Sequence, residues 1–240
     1  MPFTKDILVT NSLIELFSTK DRIDLIARCE AVNIVFGDVI GNPHDHIQHV
    51  FFPLDSIISW LKIIDDNVAL GVALIGSEGM LCVSPLLGVN ITPCRAVVQK
   101  GGGALRIEVS SFMKLLINRA EMESILKRYI FVCFNQTMQT AACAHFHSIE
   151  QRLARTLLLL KDRAQSDSFH ITQESLGTML GVRRVGITKA AIVLHKKKLI
   201  SYSRGELVID NALELEAISC HCYQSDKEIY NQILKLKLID

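Results

Sequence analysis

Acidic residues are missing from one long stretch of this 240-residue chain. Between Ser175 and Gly205 there is neither Asp nor Glu, while Arg183, Arg184, Lys189, Lys196, Lys197, Lys198 and Arg204 all fall inside. A solvated helix face ordinarily mixes both signs, so the absence excludes the commonest surface pattern and asks for something negative opposite. Aromatic residues are scarce too, at 6%, yet the chain is 49% hydrophobic. That balance excludes a disordered polypeptide.

Other absences narrow the function. No nucleophile elbow, phosphate loop or supported carboxylate pair is present, so the chain reads as a non-enzyme with no catalytic residue. No secretory signal opens it, and its seven cysteines (Cys29, Cys82, Cys94, Cys133, Cys143, Cys220, Cys222) are an odd number set mostly among aliphatics. This reads as a cytoplasmic protein with reduced thiols. Cys220-His221-Cys222 lacks the CxxC spacing that brings two thiolates to one tetrahedral ion, and no iron-sulfur cysteine run appears. His44, His46 and His49 read as solvent-facing, and Cys133 and Cys143 as small buried hydrophobes, so no metal site is expected. The 21 residues from Tyr129 to Ile149 carry no formal charge. They include Asn135, Gln136, Thr137, Gln139, Thr140, His145 and His147, too polar for a lipid-exposed span.

What is present divides the chain. The net charge of +1 hides a split: residues 1–148 carry 12 basic and 14 acidic side chains, residues 149–240 carry 14 and 11. After a helical opening (Ile14, Leu16, Phe17, then Ile23, Leu25, Ile26), residues 32–108 become short aliphatic runs, VNIVFGD, VFFPLDSIISWLKII, VALGVALIG, CRAVVQK and ALRIEV. Gly, Pro and Asn turns punctuate them. Such strands predict an antiparallel barrel or jelly roll able to enclose a small ligand. From Ser110 helical spacing returns and runs to Phe146 as one long helix with a break near Ala120. Ala141, Ala142 and Ala144 would let the same helix of a second subunit approach closely, giving a twofold dimer; burial within one monomer is the other reading.

The second half begins with the amphipathic HSIEQRLARTLLLLKDRA. Thr172 is placed to cap the next helix, with Leu176, Met179 and Leu180 as its apolar face and Gly181 at its end. A further helix over about 183–195 turns Ile187, Ala191 and Leu194 inward. Two short helices around a tight glycine turn are a helix-turn-helix, and the hairpin LISYS, Arg204-Gly205, ELVID adds a wing. The opposite face of the second helix then carries Arg184, Val185, Thr188 and Lys189 as base-reading candidates. Gly186 serves close packing or close approach to DNA. Thr172, Arg183, Lys196, Lys197, Lys198, Ser203 and Arg204 are suited to phosphates.

The segment ITQESLGTMLGVRRVGITKAAIVLHKKKLISYSRGELVI resembles the C-terminal winged helix of the Crp/Fnr superfamily of bacterial transcription regulators, and the order of the whole chain is similar. The resemblance implies an α+β protein with an N-terminal antiparallel β jelly roll of the cyclic-nucleotide-binding kind (1–118), a dimerisation helix (119–147) and a winged helix-turn-helix (148–240). It implies a homodimer on a near-palindromic double-stranded DNA operator, with RNA polymerase as a further partner and no membrane. The family's frequent Arg-Glu-x-x-x-Arg reads here Arg184-Val185-Gly186-Ile187-Thr188-Lys189. In the sensor, Gly76-Ser77-Glu78-Gly79 loosely resembles the ribose-holding turn, and Arg95 stands one position away from the phosphate arginine. The implied effector pocket is Gly76, Glu78, Gly79 and Arg95. These departures count against a cyclic nucleotide, leave a small-molecule effector open and imply no cofactor. The competing reading is a ligand-binding or protein-interaction module whose winged helix has lost strong DNA recognition.

Overall fold

The computed structural model describes residues 11–65, 68–203 and 205–235. Two short helices come first, α1 (Ser12–Glu15) and α2 (Thr19–Ile26), each opened by a side-chain cap, Asn11 and Ser18. Seven strands follow: β1 (Glu30–Ile34), β2 (Val39–Gly41), β3 (His49–Pro53), β4 (Ile57–Asp65), β5 (Val68–Ile75), β6 (Arg95–Lys100) and β7 (Gly102–Glu108). They form two antiparallel sheets, in the orders β1-β7-β3 and β2-β6-β4-β5. Ile34, Phe51 and Ala104 of the first sheet share a core with Ile58, Ile75, Ala96 and Val98 of the second. The expected roll is therefore present. The run VFFPLDSIISWLKII, continuous in hydrophobicity, divides at Leu54–Ser56 and supplies one strand to each sheet. The Asp-Asp-Asn turn expected after it lies partly outside the described residues.

Helix α3 (Val109–Leu116) breaks at Asn118, whose φ is 62°, and α4 (Ala120–Phe146) then runs for 27 residues. Met122, Ile125, Leu126, Tyr129 and Val132 bury its first half. Beyond that the side facing away from the protein stays bare: Phe131, Phe134 and Met138 are 49%, 61% and 46% exposed. Among the described residues no helix is long and apolar enough to cross a membrane.

The second half comprises α5 (Ile149–Ala164), β8 (Ser168–His170), α6 (Gln173–Leu180), α7 (Arg184–Lys196), β9 (Ile200–Ser203), β10 (Glu206–Ile209), α8 (Ala212–Ile218) and α9 (Cys222–Leu234). A full capping box, Ser148 with Gln151, starts α5. Leu153, Leu157, Leu160, Leu176, Ile187, Leu194 and Leu207 join in one core. Strand β8 pairs with β10, so the wing hairpin becomes a three-stranded sheet. Helix α9 returns to the first half, burying Leu234 in the cluster that holds Met122 and Leu126.

The two halves are tightly seated. On α5, Arg155 donates to Asp226 of α9 at 2.6 Å and to Thr140 of α4 at 3.3 Å, tying three helices together. Strand β5 meets α6 at Gly71, where an added Cβ would stand 2.6 Å from the Met179 carbonyl oxygen and 2.8 Å from its Cα. Backbone cannot yield as a side chain can. Gly71→Ala is therefore expected to cost about 1–3 kcal/mol through overpacking. Thermal unfolding should show a midpoint lowered by about 2–4 °C per kcal/mol for a chain of this size. An unchanged midpoint would mean that β5 and α6 do not press together.

Candidate nucleic-acid interface

Local chemistry builds the helix-turn-helix. Thr172 accepts a hydrogen bond from the Ser175 amide at 3.0 Å, satisfying a donor that the first turn of α6 leaves open. At the other end Gly181 adopts φ 64°, and the Val182 amide reaches back to the Gly177 carbonyl at 2.9 Å. This Schellman closure needs a left-handed residue, which glycine adopts at least cost. Helix α7 ends in a similar closure: Lys198 takes φ 57° and the Leu199 amide bonds the Leu194 carbonyl. Lysine occupies the left-handed position there.

Ile187, Ala190, Ala191 and Leu194 are buried, so the inward face of α7 is as its spacing requires. Arg184, Val185 and Lys189 are exposed on the other side, Val185 at 59%. Thr188 is half-buried, its hydroxyl donating to Gln173 of α6 at 2.6 Å. Gly186 packs closely inside the domain, since a Cβ there would come 3.1 Å from Cδ1 of Ile149 on α5. Arg183, Lys196, Lys197, Lys198 and Ser203 are exposed; Thr172 is half-buried and engaged as the cap; Arg204 lies outside the described residues. No ion pair joins Arg183, Arg184, Lys189, Lys196, Lys197 or Lys198 to any described residue. Their charges face solvent uncompensated.

The Gly76–Gly79 turn is packed against helices rather than open to a ligand. Glu78 accepts from Nε of Arg163 on α5 at 2.9 Å, and its backbone carbonyl accepts from the Tyr230 hydroxyl of α9 at 2.6 Å. The Tyr129 hydroxyl of α4 meets the Met80 amide at 3.1 Å, and a Cβ on Gly79 would collide with that ring. Burial raises the pKa of both Tyr129 and Tyr230, which keeps them hydroxyl donors. Burial also works against the Arg163 charge, but the adjacent Glu78 carboxylate more than offsets it, and the guanidinium is held above its ordinary pKa. Gly76, Glu78 and Gly79 thus face helices α4, α5 and α9. Arg95 sits exposed on β6, bonded to Asn42 at 3.0 Å.

The open cavity of the roll, about 680 Å³, has none of these four residues in its wall. Asp38, Asp45, His46, His49, Thr92 and Arg106 line it instead. His46 is exposed, as the sequence reading has it, His49 is half-buried, and both border the cavity. His44 is exposed, with φ 69°. A separate group, Cys143, His147, Cys220 and Cys222, is brought together at the end of α4. The missing sequence signal was the i, i+4 spacing of Cys143, in the last turn of α4, and His147, its C-cap.

Residues 151–218 match the Crp-like helix-turn-helix domain. No curated protein matches the chain by sequence. A regulator assigned to the crp/fnr family from Eubacterium rectale is similar over 87% of this chain and 98% of its own, with TM-score 0.66 at 16% identity. FixK2 from Bradyrhizobium japonicum is similar over 80% and 98%, with TM-score 0.68 at 13% identity. The c-di-GMP responsive global regulator CLP from Xanthomonas campestris covers 80% and 99%, with TM-score 0.64 at 13% identity. At such identities the likeness is one of fold. Residues 151–218 are therefore a Crp-like helix-turn-helix domain, and the chain shares the fold of these solved structures.

Proposed function

We propose that the protein is a homodimeric, sequence-specific DNA-binding transcription regulator that lays α7 in the major groove. The observation carrying this reading is the exposed, unpaired basic face of α7 between a capped turn and a wing. Arg184 can bond two acceptors on a guanine edge, Lys189 a guanine or phosphate, and Val185 a thymine methyl. Thr188, tied to Gln173, offers its methyl beside them. Thr172, Arg183, Lys196, Lys197, Lys198, Ser203 and Arg204 take phosphates, which fix position without reading sequence.

The dimer reading is supported by α4. Lys127, Phe131, Phe134, Met138, Ala141 and His145 follow one another at alternating steps of four and three, and all are exposed. That is the spacing of a coiled-coil seam. A second copy of α4 would cover the bare phenylalanines and place the two α7 helices on successive major grooves, with half-site centres about 34–36 Å apart. RNA polymerase is the further partner a regulator of this kind acts upon. The roll would hold the effector. Its cavity has two carboxylates, while its one arginine, Arg106, is already paired with Glu30 at 2.5 Å. Such a wall suits a neutral or cationic small molecule better than a cyclic nucleotide.

Replacing Arg184 and Lys189 by alanine is expected to remove about 1–3 kcal/mol of base discrimination per residue, with the fold retained by circular dichroism. Fluorescence anisotropy on a selected duplex reads this directly. Equal affinity of variant and wild type for every sequence would sink the recognition-helix assignment and favour a ligand-binding module. Lys196, Lys197 and Lys198 changed to alanine should instead weaken all sequences alike and flatten the salt slope by about 1 per lost phosphate contact. For the seam, Phe134→Glu is expected to turn a dimer into a monomer in sedimentation velocity. A wild-type chain that sediments as a monomer would refute the seam.

A further inference from the structure

At the C-terminal end of α4, four potential ligands from two distant parts of the chain converge. Sulfur atoms of Cys143, Cys220 and Cys222 and a ring nitrogen of His147 all lie within 4.8 Å of one another. Cys143 and Cys220 are 3.4 Å apart, sulfur to sulfur, and Cys222 is 3.6 Å from Nδ1 of His147. A zinc-sulfur bond of about 2.3 Å in a tetrahedron separates neighbouring ligands by about 3.8 Å. The Cys222–His147 spacing already fits, the Cys143–Cys220 pair opens by about 0.4 Å, and the pairs nearer 4.8 Å close by up to about 1 Å. The three thiols are buried together at 2%, 3% and 3% exposure, and His147 is half-buried.

The surroundings favour coordination over mere packing. The Gln139 amide donates to the Cys222 sulfur at 2.8 Å, the kind of outer contact that orients a ligating thiolate. Arg152 and Arg155 of α5 line one cavity together with Cys143. Their positive charges suit a site in which three thiolates and a dication leave one net negative charge.

We propose that Cys143, His147, Cys220 and Cys222 form a Cys3His site for one zinc-class divalent cation that joins the end of α4 to the start of α9. Cys143 lies in the last turn of α4 and His147 caps its C-terminus, and Cys220 and Cys222 flank His221 where α9 begins. Cys220 and Cys222 lie beyond the matched helix-turn-helix domain, which ends at residue 218. The cation cross-links the helix that carries the exposed seam to the segment that follows the winged domain. Metal supply then sets how firmly the DNA-binding half is held against α4.

The test uses the full chain, purified with reductant, stripped with chelator and titrated with Co2+ and then Zn2+. One Co2+ per chain with ligand-field and thiolate charge-transfer bands of tetrahedral coordination, displaced by Zn2+ and accompanied by a higher unfolding midpoint, is the expected result. His147→Cys should keep the metal and shift the Co2+ spectrum toward four-sulfur coordination, while Cys222→Ser should weaken binding by at least about tenfold. Two outcomes overturn the proposal. One is a wild-type chain that binds no Co2+ or Zn2+ in excess; the other is a chain purified without reductant in which Cys143 and Cys220 are a disulfide and added reductant restores no metal binding.

Discussion

The ion pair between Arg163 and Glu78 governs how the two halves of the chain face one another. Both groups are largely withdrawn from water, Arg163 at 6% and Glu78 at 20% side-chain exposure, and removing a charge from water costs several kcal/mol. The pair stands because its remaining atoms are also satisfied. The carboxylate accepts from the Gly76 amide as well, and the guanidinium donates to the Leu159 carbonyl at 3.4 Å. Around it, Ser77 donates to the Arg163 carbonyl and Tyr230 to the Glu78 carbonyl, so α5 and α9 are fastened to a single turn of the roll. Helix α5 in turn packs on α7 through the leucine core. The turn and α7 are thus joined through one helix, α5, packed at both ends.

The same geometry explains a disagreement between resemblance and structure. Gly76-Ser77-Glu78-Gly79 resembles a ribose-holding turn by residue type, yet the glutamate is occupied by Arg163, a partner 85 residues further along the chain. Residue type says what Glu78 can bind; the fold decides which cation reaches it first. The roll keeps a cavity, but its polar lining comes from Asp38 before β2, Asp45 and His46 in the β2–β3 connection, His49 of β3, Thr92 before β6 and Arg106 of β7. The cavity and the fastening turn thus occupy separate parts of the roll.

How much of this the sequence discloses depends on the range of the forces involved. Thr172, Gly181 and the spacing Ile187, Ala191, Leu194 act within a turn or two, so the helix-turn-helix is legible residue by residue. The break before α4 is likewise local, fixed at Asn118. VFFPLDSIISWLKII reads as one run because hydrophobicity does not record which sheet a residue joins. Strand β8 escapes notice because three residues, Ser168–His170, are shaped by β10 rather than by their own pattern. Helices α8 and α9 follow the wing without announcing that α9 will return to α4. The four-ligand cluster is hidden for the same reason: Cys143 and Cys220 stand 77 residues apart, and Cys-His-Cys alone lacks half of a tetrahedron.

The central claim is that two copies of α7 read DNA from a shared frame. Selection of duplexes from a randomised pool by the purified full-length protein, with the bound fraction sequenced, tests it most directly. The account predicts an inverted repeat whose half-sites are spaced by about one helical turn, 10–10.5 base pairs centre to centre. Recovery of an unselected pool at physiological salt, with and without the metal-loaded form, would contradict it and leave the basic face of α7 without its partner.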